Sequence, residues 1–156
     1  MKAGPEFEPE RNVMHKARVL IVDDEEVFVE MLAERLEARG LEVDKAFDGE
    51  EALEKIKGKD LDVVILDVLM PGKDGIEVLR EIKQLKPLTE VIMLTGHATV
   101  QTAIDGMKLG AYDYLLKPTE TKDLLEKIQG AYRRKYEQEE RIRQAEINRI
   151  TRSKAW

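Results

Sequence analysis

The sequence predicts an α/β protein: a doubly wound, five-stranded parallel sheet in the order 2-1-3-4-5, with helices on both faces. Three observations predict it. Short apolar runs alternate with amphipathic stretches five times between residues 18 and 129. Strands that alternate with helices require right-handed crossovers and hence a parallel sheet. The most apolar run, residues 61–66, has the composition of a central strand covered on both sides. Of the two common doubly wound orders, five units favour 2-1-3-4-5, which makes the first and third strands neighbours at a switch point.

The elements follow in order. Residues 19–22 form the first strand, and 26–39 a helix with Val27, Met31, Leu32 and Leu36 on one stripe and Gly40 as its stop. Residues 41–47 alternate as a short strand, Asp48-Gly49 turns the chain, and 50–57 is a helix with Ala52, Leu53 and Ile56 inward. After strand 61–66 and the loop Met70-Pro71-Gly72 comes a helix over 76–86, with Ile76, Leu79, Ile82 and Leu85 inward and Pro87 closing it. Strand 91–94, helix 99–109, strand 112–116 and a helix from Glu120 complete the series.

That last helix is too long for the domain. It continues to about residue 150, with Glu137/Arg141 and Glu139/Arg143 as supporting pairs, each worth roughly 0.2–0.5 kcal/mol. Ile128, Tyr132, Tyr136, Ile142 and Ile150 make a broken apolar stripe, which fits either a frayed solvated helix or a linker or pairing helix. The predicted organisation is a disordered arm over 1–16, one domain over 17–130 and a charged helical extension over 131–156.

Composition narrows the function classes. A chain of 156 residues, 42% hydrophobic, can bury a real core. It has no cysteine, which excludes disulfides, thiolate metal sites and cysteine nucleophiles. No run approaches a membrane span and the amino terminus has no apolar signal stretch, so a soluble cytoplasmic protein is expected. Residues 1–130 carry 18 basic against 28 acidic side chains, and 131–156 carry 8 against 4. An acidic body argues against direct binding of nucleic acid.

The chemistry lies at strand ends. The first run ends in Asp23-Asp24, the third in Asp67, the fourth in Thr95 and the fifth in Lys117-Pro118. Alone, Asp23-Asp24 reads as a helix cap. With Asp67 at the end of the neighbouring strand, three carboxylates crowd together and call for a cation. An oxygen-only set of this kind suits Mg²⁺, with Mn²⁺ as a substitute. Lys117 supplies a compact positive charge for phosphoryl oxygens, or is merely solvated beside acids, and Lys117-Pro118 is a candidate cis peptide. Thr95 can donate its hydroxyl to an oxyanion, and Gly96 permits close backbone approach.

The segments Val22-Asp23-Asp24-Glu25, Asp67-Val68-Leu69-Met70-Pro71-Gly72-Lys73-Asp74-Gly75, Thr95-Gly96 and Gly110-Ala111-Tyr112-Asp113-Tyr114-Leu115-Leu116-Lys117-Pro118 occur in this order. As a set they resemble the receiver domain of two-component response regulators, whose sheet is flavodoxin-like. The resemblance covers residues 18–129, and 95–118 is most similar to the enhancer-binding, nitrogen-regulator class. It implies that Asp67 is the phosphoacceptor, phosphorylated from a sensor histidine kinase or phosphotransfer protein. Asp24 and Asp67 would ligate Mg²⁺ directly, the Leu69 carbonyl would complete the site and Asp23 would act through water. Lys117 and Thr95 would bind phosphoryl oxygens.

The same resemblance implies a switch. Thr95 moves toward the phosphoryl group and Tyr114 rotates inward, changing the face built by the fourth helix, fifth strand and fifth helix, with Ile104, Lys108, Ala111 and Tyr112 as neighbours. Periodicity alone makes Tyr114 a half-buried strand aromatic. The output would be a downstream protein target or output domain, with room for a homodimer. The chain would be no enzyme in the usual sense, catalysing only its own phosphorylation and slow dephosphorylation. His97 and Leu69 would flank the phosphoryl group and set its hydrolysis, although a lone loop histidine is usually just solvated.

Other classes compete. A phosphohydrolase of the Asp-x-Asp-x-Thr type needs an acid and a threonine after Asp67, where Leu69 and Pro71 stand. A degenerate receiver serving only as an interaction module would lack one of the five site residues. The chain also reads as the excised regulatory domain of a transcription factor.

Overall fold

The computed structural model describes residues 17–70, 72, 74–96 and 99–154. Strands and helices alternate as β1 (Arg18–Val22), α1 (Glu26–Glu37), β2 (Glu42–Ala46), α2 (Gly49–Gly58), β3 (Val63–Leu66), α3 (Gly75–Leu85), β4 (Glu90–Thr95), α4 (Val100–Lys108), β5 (Asp113–Leu116) and α5 (Thr121–Ser153). The five strands pair in parallel in the order β2-β1-β3-β4-β5, as the alternation predicted. The predicted arm over 1–16 lies outside the described residues.

Burial divides along the pleat, because successive strand residues point to opposite faces. Leu20, Val22, Val64, Leu66, Val91 and Met93 pack beneath α2 and α3, which supply Ala52, Leu53, Ile56, Val78, Leu79 and Ile82. Val19, Ile21, Val63, Ile65, Ile92 and Leu94 pack on the other side against α1 and α5.

Several local expectations change. In α1 the buried stripe is Val29, Leu32, Ala33 and Leu36, while Val27 is 85% exposed and Met31 lies at the surface. The reason is angular: Val27 and Leu36 are about 180° apart around a helix of 3.6 residues per turn. Leu85, in the last turn of α3, is exposed rather than inward. Gly40 adopts φ 92°, the left-handed conformation expected of a residue that stops a helix.

Two ion-pair sets fasten α5 to the end of the sheet opposite the charged strand ends. Arg134 grips Glu90 at the start of β4 through two donors, one at 2.7 Å, and stacks 4.8 Å above the Tyr112 ring. Lys135, itself buried, donates to Asp62 and Glu139, each at 2.9 Å. Asp62 also accepts from the Arg18 amide at 2.8 Å. Glu139 therefore takes Lys135 rather than the predicted Arg143, which reaches Glu140. No helix among the described residues is long and apolar enough to cross a membrane.

Candidate functional site

Register builds the site. β1 and β3 pair with Val22 opposite Leu66, so the residues that follow, Asp23 and Asp67, leave the sheet side by side, tied by the Asp67 amide donating to the Val22 carbonyl at 2.9 Å. Oxygens of Asp23, Asp24 and Asp67 lie within 4.8 Å of one another. β4 and β5 bring the remaining groups, since Thr95 pairs with Leu116 and its carbonyl accepts from the Lys117 amide at 2.9 Å. The Lys117–Pro118 peptide is cis. Asp24, Glu25, Asp67, Leu69, Met70, Gly96 and Lys117 line an open cleft of about 490 Å³.

The carboxylates differ in surroundings. Asp23 is 1% exposed; its Oδ1 accepts from the Glu25 amide at 2.9 Å and its Oδ2 from Lys117 Nζ at 2.6 Å. Asp24 is exposed on the rim of the cleft. Asp67 is only 5% exposed, and its Oδ1 accepts a 3.3 Å hydrogen bond from the Leu69 amide. The capping role open to Asp23-Asp24 thus reduces to the bond from Asp23 to the Glu25 amide, and Glu25, the N-cap residue of α1, makes no side-chain cap.

Lys117 is shared. Its ammonium contacts Asp23 and, at 2.7 Å, Glu25, approaches Asp67 Oδ2 at 3.9 Å, and lies 4.2 Å from the centre of the Phe28 ring. Burial pushes its pKa down, but the hydrogen bonds to Asp23 and Glu25 more than offset this and leave it raised. Burial also pushes the Asp23 carboxyl up, with the charge of Asp67 adding to it, against the lowering effect of Lys117 and the Glu25 amide. Asp23, Asp24, Asp67 and Glu25 together place more negative charge here than the Lys117 ammonium balances. A hard divalent cation fits that deficit and this all-oxygen donor set.

Glu25 and Gly75 stand in the motif segments, but their work becomes visible only in three dimensions. Glu25 holds Lys117 across the cleft. Gly75 closes the loop after Asp67: its amide donates to the Val68 carbonyl at 2.9 Å, and a Cβ there would lie 2.5 Å from the carbonyl oxygens of Asp67 and Val68. A glycine eight residues after Asp67, at the start of a helix, was the available signal. Phe28, over Lys117, is a partner no motif announced.

The predicted switch residues lie on neighbouring strands, Thr95 on β4 and Tyr114 on β5. Thr95 is fully buried at the end of β4. Tyr114, half-buried on β5, packs against the core beneath α2 and α3, and its hydroxyl lies 2.8 Å from Thr102 Oγ1 on α4. Of the expected neighbours, Ala111 is buried, Ile104 and Lys108 are exposed on α4, and Tyr112 packs toward α5. His97 lies outside the described residues.

Residues 19–129 match the response regulator receiver domain family. A CheY-like receiver domain from Methanospirillum hungatei is 32% identical, aligns over 79% of this chain and 98% of its own, and superposes with a TM-score of 0.77. The receiver domain of NtrX from Brucella abortus is 34% identical over 74% of this chain and 98% of its own, with a TM-score of 0.70. A response regulator from Burkholderia pseudomallei, solved with a phosphorylated aspartic acid, a calcium ion and citrate, is 28% identical over 88% and 85%, with a TM-score of 0.71. The chain belongs to the response regulator receiver domains and is a signalling module of two-component systems.

Proposed function

We propose that Asp67 accepts a phosphoryl group from the phosphohistidine of a sensor kinase or phosphotransfer protein. The observation that carries this is the convergence of Asp23, Asp24 and Asp67 within 4.8 Å, with Lys117 3.9 Å from Asp67. A carboxylate oxygen of Asp67 attacks phosphorus, the P–O bond forms as the P–N bond breaks, and the imidazole leaves neutral after taking up a proton. The Leu69 amide orients the attacking carboxylate through the 3.3 Å bond to Oδ1. Lys117 and the Thr95 hydroxyl receive the phosphoryl oxygens, and positioning with charge neutralisation supplies most of the acceleration.

Asp24, Asp67 and the Leu69 carbonyl would hold Mg²⁺, or Mn²⁺ in its place, with Asp23 acting through water. Bound there, the ion would neutralise charge on the transferring group. The relative with a phosphorylated aspartic acid and a calcium ion supports the reading. The added charge draws Thr95 inward, Tyr114 follows, and the α4, β5 and α5 face changes for a downstream protein or output domain. The likeness to the NtrX receiver is in keeping with the class that residues 95–118 resemble.

The test is to incubate the protein with acetyl phosphate and Mg²⁺ and follow mass and chemical stability. An added phosphoryl group that is labile to hydroxylamine and absent from Asp67→Asn is expected. Labelling that persists in Asp67→Asn, or no labelling by any competent donor, would overturn the proposal.

A further inference from the structure

We infer that Thr102 is a positioning residue for the switch: its hydroxyl latches Tyr114 in the resting orientation and must release it before the output face changes. The inference rests on the reading of Tyr114 as a switch residue, and adds a partner on α4 that the site motifs do not contain.

The hydroxyl of Thr102 is saturated. It lies 2.8 Å from Tyr114 Oη, accepts from the Thr99 amide at 3.1 Å and donates to the Thr99 carbonyl at 3.0 Å, with Thr99 Oγ1 a further 3.0 Å contact. A hydroxyl has one proton and two lone pairs. With its proton on Thr99 and one lone pair taken by the Thr99 amide, the second lone pair accepts the Tyr114 O–H. Thr99 Oγ1 in turn accepts from the Thr102 amide at 3.0 Å, closing a capping box at the start of α4. Tyr114 is therefore bonded directly into the cap of this helix.

That bond matters because α4 buries few of its side chains. Gly106 is its only buried residue, and Val100, Ile104 and Met107 are 78%, 41% and 47% exposed. An element with few buried contacts is cheap to displace, so one hydrogen bond at its first turn carries weight in its equilibrium. Turning Tyr114 away opens the third position on Thr102 and loosens the cap. Phosphorylation would thus act on α4 through the Tyr114 hydroxyl as well as through Thr95.

The test uses the whole chain with 3-fluorotyrosine, whose four tyrosines give four ¹⁹F lines, Tyr114→Phe identifying the line of interest. Mg²⁺ with beryllofluoride mimics the phosphorylated state. Thr102→Val should move the Tyr114 line toward its beryllofluoride position without the ligand and tighten apparent beryllofluoride affinity about fivefold, the scale of one net hydrogen bond. Thr102→Ser should restore both. Thr99→Ala weakens the same cap but keeps the latch, and should move the line less. Tyr114→Phe should reproduce the affinity gain, and combining it with Thr102→Val should add nothing further. If the wild-type line responds to beryllofluoride but is unaltered by Thr102→Val, or if Thr99→Ala moves it equally, the latch is overturned alone. A wild-type line that never responds overturns the switch reading and the latch together.

Discussion

Lys117 leans toward Asp23 and away from Asp67: its ammonium is 2.6 Å from the first carboxylate and 3.9 Å from the second. The longer distance exceeds hydrogen-bond reach. Asp67 is therefore not hydrogen-bonded to the Lys117 ammonium, which could otherwise quench it as a nucleophile. A phosphoryl group on Asp67 would carry new oxygens toward Lys117 and compete for it with Asp23 and Glu25.

Glu25→Gln is expected to speed phosphorylation from acetyl phosphate about two- to fivefold, because Glu25 is mostly exposed and its grip on Lys117 is weak. Lys117→Ala should slow it by tenfold or more, since the ammonium 3.9 Å from Asp67 would no longer meet the transferred oxygens. Rates measured by mass spectrometry decide both, and unchanged rates in the pair would remove Lys117 from the chemistry.

Asp24→Asn should weaken Mg²⁺ binding by about tenfold or more, because a carboxylate charge within the donor set is lost while the core is untouched. Amide shifts of residues 67–70 during a Mg²⁺ titration report this. Chelation with EDTA should stop phosphorylation of the wild type.

Gly75→Ala should lower stability by about 2–3 kcal/mol, since a Cβ 2.5 Å from the Asp67 and Val68 carbonyls forces backbone to move. The same shift should slow phosphorylation, as it carries Asp67 with it. Urea denaturation and labelling rates on one preparation test both effects.

Lys135→Met should cost about 1–3 kcal/mol by leaving Asp62 without its buried partner. The Lys135 pKa is raised: burial lowers it, but hydrogen bonds to Glu139 and Asp62 more than compensate. A lysine whose folded pKa exceeds its unfolded value stabilises fully below the unfolded value, about 10.4, and loses that contribution as pH climbs through the folded value. The gap in stability between wild type and variant should hold steady from about pH 7 to 9 and shrink above about pH 10.4. A gap that closes near neutrality would show that the ion pair is not its source.

Much of this was legible in the chain. Hydrophobic runs of strand length between amphipathic stretches determined the element order, and five units with apolar central runs determined the parallel sheet. The acids, Thr95 and Lys117 could be placed at strand ends because each directly follows such a run. What periodicity misjudged was the face of α1: Val27 and Met31 share an apolar stripe of their own, and only packing against β1 and β3 decided that Val29, Leu32, Ala33 and Leu36 go inside. The pairing of α5 was misjudged for a similar reason. Glu139 had two lysine or arginine candidates within helical reach, and Asp62, far away in sequence, drew Lys135 to it.

By itself the sequence determined the fold class, the order of elements and the identity of the groups at the strand ends, because hydrophobic period and residue type are local properties that each segment carries wherever it lies. The tertiary structure alone decided which groups touch. That Lys117 sits with Asp23, Glu25 and Phe28, that Gly75 must pass beneath Asp67, and that Tyr114 is bonded to the cap of α4 all follow from register and from loop closure. Those relations arise between separate segments and leave no periodic trace within either one.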